Sequence, residues 1–433
     1  MRQNNFALAA SCIVGSTGLL LALAAGADKP SAQKPASEKV IYSFAGGSDG
    51  AYPQSDLILD SAGNLYGTTS RGGVGCNGQG CGTVFELKRS QNGWTKDILY
   101  SFAGGSDGEG PRAGLIFDKA GNLFGTTGGT VFKLTPNGHG GWTESVIYAF
   151  ASNGSAGAGP KNDLVFDSQG NLYGTTSQGG IGGQCGEWGC GSIFQLTPHA
   201  DSSWTETTIH SFTGGADGGE VSSGVVLDSL GDIYGLTSTG GTGKCEASES
   251  IPGCGIVFEF SHDSIGGWTE TVIYNFVRGG GYAVNPSSGL ILIDADYLLL
   301  TSTAGGDGFG AVLELRRSQT KGWEQSILHR FYGNPDGWWP VGKIVDTDDS
   351  LFGATSGGGV IRQNGGMVFE LKRSAAGDWR ERILHDFTGA PDGNYPGAGV
   401  VSDSSGHLYG TTQWGGGGFG CTFGCGVAYE IAP

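Results

Sequence analysis

The sequence has little of what a helical or nucleic-acid-binding protein needs. Methionine occurs twice in 433 residues and charged residues make up only 15%. Long helices and coiled coils draw on Ala, Glu, Lys and Leu, so this composition excludes them. Basic residues are outnumbered, 24 Lys and Arg against 41 Asp and Glu, for a net charge of −17. Nucleic-acid affinity comes from Lys and Arg on phosphate, so a chain without a basic cluster is excluded as a nucleic-acid partner. Anionic membrane surfaces are disfavoured for the same reason, whereas cations, neutral sugars and basic partners suit the charge. No nucleophile elbow, phosphate loop, metalloprotease helix or zinc motif is found, so no cofactor is predicted. The densest carboxylate turns admit at most a structural cation such as calcium.

What is abundant is glycine, 85 residues, about a fifth of the chain against roughly 7% on average. Hydrophobic residues at 38% and aromatics at 10% supply a core. Together they predict many short strands joined by glycine-rich turns. The first 27 residues read as an export signal: Arg2, an apolar stretch from Phe6 to Gly26, and an Ala25-Gly26-Ala27 cleavage site. The alternative is an uncleaved N-terminal anchor, since about 21 apolar residues just span a bilayer. No second apolar span of that length follows, so no other membrane insertion is expected. Residues 28–39 form a polar Pro/Ala/Ser/Lys linker. The protein is therefore expected to be exported, whether periplasmic, secreted or on the cell surface.

Residues 40–433 are one unit repeated seven times. The V-I-Y-S-F element ends at Phe44, Phe102, Phe150, Phe212, Phe276, Phe331 and Phe387, spaced 48 to 64 residues apart. A D-x-x-G-N turn and a G-T-V-F-E-L segment recur in the same order. Each unit predicts four strands, as in Gly114–Asp118 (A), Leu123–Thr127 (B), Thr130–Leu134 (C) and a Trp-led strand ending at Phe150 (D). Strand D at Val40–Phe44 has no A, B and C before it, and the last unit stops at Pro433 after strand C. The two partial units complete each other. The fold predicted is an all-β, seven-bladed propeller of four-stranded antiparallel blades, closed by the N-terminal strand. An open β-solenoid is the alternative, and it would need capping units.

Gly-Asn-Leu-Tyr-Gly-Thr-Thr (63–69), Gly-Thr-Val-Phe-Glu-Leu (82–87) and Tyr-Ser-Phe-Ala-Gly-Gly-Ser-Asp-Gly (100–108) resemble the GloVer tandem repeat over about 40–433. The resemblance implies an exported bacterial repeat protein, without established activity and without catalytic residues to carry over. Unit five departs from it with Leu299-Leu300 in place of Tyr-Gly, and unit two lacks the long loop between B and C.

Cysteine gives the sharpest chemical signal. Beyond Cys12 in the signal, eight remain as local pairs, each between strands B and C: Cys76/Cys81, Cys185/Cys190, Cys245/Cys254 and Cys421/Cys425. Export favours four disulfides over zinc, because no spacing is C-x-x-C. The turn Asp of D-x-x-G-N reads as a cap and the Asp-Gly of the D–A loops as a turn device. Six tryptophans recur at the start of strand D and read as packing. Trp188, Trp338, Trp339 and Trp414 do not recur; all four fall in loops on the B–C and D–A face. A ligand site is expected there, formed by Trp338, Trp339 and Trp414 with Asp336 and Asp392, converging on one sector and taking a glycan or a protein. The alternative is a carbohydrate-active hydrolase or lyase using loop carboxylates such as Asp336 and Asp392 on the same face.

Overall fold

The computed structural model describes residues 36–151, 157–160, 162–180, 183–245, 253–262, 266–278, 283–305, 308–347, 349–359, 365–418 and 420–433. The expected signal and most of the linker lie outside them. Seven antiparallel sheets follow one another as blades: 51–101, 116–149, 158–211, 219–275, 283–330, 338–386, and a seventh made of 394–432 with Ser37–Ser43. Among the described residues no helix is long and apolar enough to cross a membrane.

The ring closes as the partial units demand. Ser37–Ser43 pairs antiparallel with strand C of blade seven, Val427–Ala432, placing Lys39 opposite Glu430 and Val40 opposite Tyr429. The strand takes in Ser37–Lys39, residues read from sequence as linker. Without it, Val427–Ala432 would present an unpaired row of N–H and C=O groups.

Every outer strand carries a β-bulge at one repeat position, an Ile or Leu before the Tyr or His: Ile41, Leu99, Ile147, Ile209, Ile273, Leu328 and Leu384. A bulge re-aims the side chains that follow it. The Phe that ends each outer strand is buried in the seam with the next blade, in six seams on an aromatic ring of that blade's strand C and, for Phe276, in the cluster that holds Leu313. Phe44–Phe85, Phe102–Phe132 and Phe331–Phe369 have ring centroids 5.0–5.2 Å apart, edge to face. The periodic tryptophans pack across the seam on the other side, as Trp94 does on Tyr409 and Trp204 on Phe124. The apolar core is thus divided into seven clusters, one per seam.

The turn aspartates cap the A–B hairpins. Asp60 accepts the amides of Ala62 and Asn64, the Asn64 side chain and the Tyr66 hydroxyl. Asp118, Asp167 and Asp403 repeat the arrangement. Strand A differs from its expected form. In blade two only Ile116–Phe117 of 114–118 pairs, and blade one splits into Ala51–Pro53 and Ile58–Leu59. A proline precedes the break in blade one, and it has no N–H to continue the ladder. The residues between the two pieces leave the sheet and line the axial cavity.

Candidate functional site

The four cysteine pairs are disulfides: Cys76–Cys81, Cys185–Cys190, Cys245–Cys254 and Cys421–Cys425. Each local bridge braces a B–C loop, and four of them suit an oxidising, exported environment. Three lie against the D–A loop of the next blade. A Cβ on Gly46, Gly104 or Gly214 would meet a cystine sulfur at 2.9–3.0 Å, and each of these glycines has positive φ. At the seam of blades five and six no disulfide stands in that place. The Phe309 ring does, 3.3 Å from where a Cβ on Gly333 would sit.

The loops of this face meet through a repeated backbone bond. One residue per D–A loop adopts the left-handed conformation and donates its amide to the preceding blade's B–C loop: Tyr52 to Cys425, Glu220 to Cys190, Asn285 to Cys254, Trp339 to Phe309, Tyr395 to Gly365. Glycine holds the equivalent positions 110 and 159, with φ of 60° and 66°. Trp339 at φ 56° takes a conformation that costs a side-chain-bearing residue about 1 kcal/mol or more.

The aromatic residues expected to converge form two groups on consecutive blades. Trp338 and Trp339 stand at the start of blade six, their rings 6.3 Å apart, with Phe309 6.2 Å from Trp338. Trp338 lies over Gly357, where any Cβ would overlap its indole, and Trp339 remains 45% exposed. Trp414 belongs to the second group, stacked 4.8 Å from Tyr395 and 6.3 Å from Phe423. The first group straddles the seam of blades five and six, and the second gathers around the loops of blade seven. Trp188 stands apart in blade three and is 69% exposed.

Asp336 and Asp392 are engaged by their own turns. Each holds its own D–A turn together and joins a seam. Asp336 accepts the Tyr332 amide at 2.7 Å and faces His329 at 3.4 Å. Asp392 accepts from Thr388 and lies 3.2 Å from His385. The Tyr or His two residues before the outer Phe and the Asp of the following loop stand seven residues apart in the chain, as His329 and Asp336 or His385 and Asp392 do. The bulges bring them together, as Tyr42–Asp49 at 2.6 Å and Tyr100–Asp107 at 2.7 Å show. A third group comes from the next outer strand, two residues after its Trp: Lys96, Glu144, Glu270, Glu381 or, across the closure, Glu38. Burial and then the Asp336 carboxylate push Glu381 up to about 9. Burial and then Asp392 push Glu38 up to about 7.

A second constellation, on the axis, was missed in the sequence. The segments that leave strand A enclose a cavity of about 400 Å³ to which all seven blades contribute. Aligning the units on the residue that precedes the break in strand A, a proline in six of the seven and Val221 in blade four, exposes the signal. The residue before the buried Leu, Val or Ile is glycine in four blades (Gly114, Gly224, Gly289, Gly399) and charged in three (Asp56, Asp163, Lys343). Lys343 Nζ reaches Asp163 Oδ2 at 2.6 Å. Blades three and six stand across the ring, so the pair bars the axial channel. Asp163 also accepts the Gly114 amide, and Asp56 the Gly399 amide, each at 2.7 Å.

The electrostatics separate the two carboxyls. Burial opposes ionisation of Asp163, but the Lys343 ammonium prevails and holds it below the usual carboxylate range. Burial, then the Asp163 charge, raise Asp56 to about 6 against the pull of Lys343 and the Gly399 amide. Asp163 first, and Asp56 after it, hold Lys343 above an ordinary lysine. About half of the Lys343 side chain, 52%, faces the lumen, so water screens the pair. Arg112 lines the same cavity.

These features define a closed, seven-bladed propeller with a decorated loop face and a charged, barred axis. The chain belongs to the Gloeobacter/Verrucomicrobia repeat family, whose profile matches residues 31–184 and 246–433. In fold it is similar to virginiamycin B lyase from Staphylococcus aureus, at 12% identity and a TM-score of 0.50 over 92% of this chain and 99% of that one. A catalytically inactive form of that lyase with quinupristin gives 12% and 0.52 over the same shares. The periplasmic gluconolactonase PpgL of Pseudomonas aeruginosa gives 14% and 0.46 over 77% and 85%. At these identities the likeness is one of fold. No curated protein sequence matches the chain.

Proposed function

We propose that the protein is an exported binding propeller that takes a glycan on its B–C and D–A loop face. The observation that carries this is Trp339. It keeps a large exposed ring in a left-handed backbone position that two other blades fill with glycine. Tyr52, Glu220, Asn285 and Tyr395 take the same conformation in other blades, so what singles out Trp339 is its exposed indole. Exposed aromatic rings beside half-buried ones suit the apolar face of a sugar, and the groups around Trp339 and Trp414 supply two such platforms on consecutive blades. Asp336 and Asp392 act here by holding the D–A loops. The test is a glycan-array screen followed by titration of the best ligand. Trp338→Ala/Trp339→Ala is expected to weaken binding by about 2 kcal/mol, roughly 30-fold. Undiminished affinity in the double variant defeats the reading.

The axial cavity favours a second reading, a carbohydrate-active enzyme. Two carboxyls whose ionisation is driven apart are what acid–base chemistry needs, and Asp56 and Asp163 meet this better than Asp336 and Asp392. Hydrolysis or elimination of a polysaccharide that disappears in Asp56→Asn would establish it.

A further inference from the structure

Three seams bring a His, an Asp and a Glu together, as His210, Asp217 and Glu270, as His329, Asp336 and Glu381, and as His385, Asp392 and Glu38, and among the described residues the seam of blades five and six alone draws one ligand atom from each into a single close group. His329 Nε2, an Asp336 carboxylate oxygen and a Glu381 carboxylate oxygen lie within 4.8 Å of one another. His329 Nε2 is 3.4 Å from Asp336 Oδ1 and 3.7 Å from Glu381 Oε1. Three donors bound to one ion at about 2.1 Å in a tetrahedron lie about 3.4 Å apart. Two of these atoms, His329 Nε2 and Glu381 Oε1, are buried and make no hydrogen bond. A buried polar atom left without a partner is costly, so the arrangement calls for an occupant. Asp336 Oδ2 is already taken by the Tyr332 amide, which leaves Oδ1 turned toward the other two donors.

The repeat supplies its own control. At the seam of blades seven and one the position of Glu381 is held by Lys96, whose side chain is 2% exposed and whose Nζ lies 2.7 Å from Asp49 Oδ1. That seam is built around a positive charge provided by the chain. At the seam of blades five and six the chain provides a third ligand atom instead. We propose that His329, Asp336 and Glu381 bind a divalent transition-metal ion of the zinc class, with a fourth position left for water. A nitrogen and two carboxylate oxygens suit zinc better than a hard cation such as calcium. The ion would tie the outer strands of blades five and six to the turn that leads directly into Trp338 and Trp339. The site stands independently of the glycan reading, since no glycan enters the measurement.

The test is zinc titration of the purified, tag-free, chelator-treated protein by calorimetry and by melting temperature. One zinc per chain is expected to bind, with a rise in melting temperature. His329→Tyr installs the residue that four other units carry here, Tyr42, Tyr100, Tyr148 and Tyr274. It is expected to fold and to lower zinc affinity at least tenfold. Glu381→Lys copies the Lys96 seam. It is expected to lose zinc binding and to melt, without metal, at or above the wild-type temperature. His385→Tyr at the neighbouring seam should leave zinc binding unchanged. Absence of saturable binding overturns the proposal. So does binding that survives both His329→Tyr and Glu381→Lys, which would place the ion on surface histidines.

Discussion

At the outer edge of the ring every blade does the same thing. Seven outer strands bulge at an Ile or Leu and end in a Phe buried in the seam. At the inner edge the same blades diverge. Four keep glycine at the axis, and three replace it with Asp56, Asp163 and Lys343, two of which join across the channel. The outer devices fasten each blade to the next, a task identical at every seam, so the unit repeats them. The axis is a single place shared by all blades, where one side chain from each suffices and no two need agree. Repetition therefore marks what closes the ring, and departure from it marks where an individual blade contributes something of its own.

The comparison breaks most visibly if an outer device is removed. Deleting Ser37–Ser43 opens blade seven along Val427–Ala432, and the melting temperature is expected to fall by at least about 10 °C, with aggregation through the free edge. Unchanged melting would refute closure by this strand. At the axis the effects are smaller and differ by residue. Lys343→Met leaves Asp163 without its counter-charge, a loss of about 2 kcal/mol. That lies between the values for buried and exposed pairs because the lumen is wet. Denaturant unfolding of Lys343→Met with and without Asp163→Asn should show the double variant recovering most of the loss. Because the Asp163 pKa is depressed in the folded state, this stabilisation is present above about pH 4 and fades as pH falls through the lower folded value. Below that, the single variant and the wild type should converge.

Asp56 has the opposite sign. Its pKa is raised to about 6, so ionisation costs stability as pH rises from about 4 to about 6. Asp56→Asn is expected to be more stable than wild type by about 1 kcal/mol at pH 7, allowing for screening, and equal to it below about pH 4. A constant difference across that window would mean Asp56 ionises freely. The smallest effect is at Trp339. Trp339→Gly adopts the left-handed position without strain and should change stability by no more than about 1 kcal/mol, in the stabilising direction, while weakening glycan binding by no more than the double Trp338→Ala/Trp339→Ala variant does. A large destabilisation would make Trp339 a packing residue.

Much of the scaffold was legible because it is local or repeated. The seven units, the disulfides within single loops and the closing strand all follow from residues near one another or from a missing piece at each end. The seams were half legible. The Tyr or His of one outer strand, the Asp of the following loop and the Glu of the next strand come from three places in the chain. Only the bulge at Leu328 or Leu384 and its equivalents aims them at one another. The axis was overlooked because strand A was read as regular strand over Gly114–Asp118. Once the strand breaks after the proline, the next residues turn inward and their charges acquire partners half a ring away. Trp414 was grouped with Trp338 on the strength of adjacent blades. Each ring instead found the nearest aromatic partners, Tyr395 and Phe423 for one and Phe309 for the other.

Because Ser37 lies directly opposite Ala432 in the closing sheet, the connectivity of the ring is cyclic in all but one covalent link. A short turn joining these two residues would make strands C and D of blade seven an ordinary hairpin, like those of the other six blades. The chain could then be cut at any seam. Circular permutants opened between other blades should reach the same ring, each with a different blade sealed by pairing of chain ends. Refolding rates across such a set would report which seam forms first, since each cut makes a different contact the most distant along the chain.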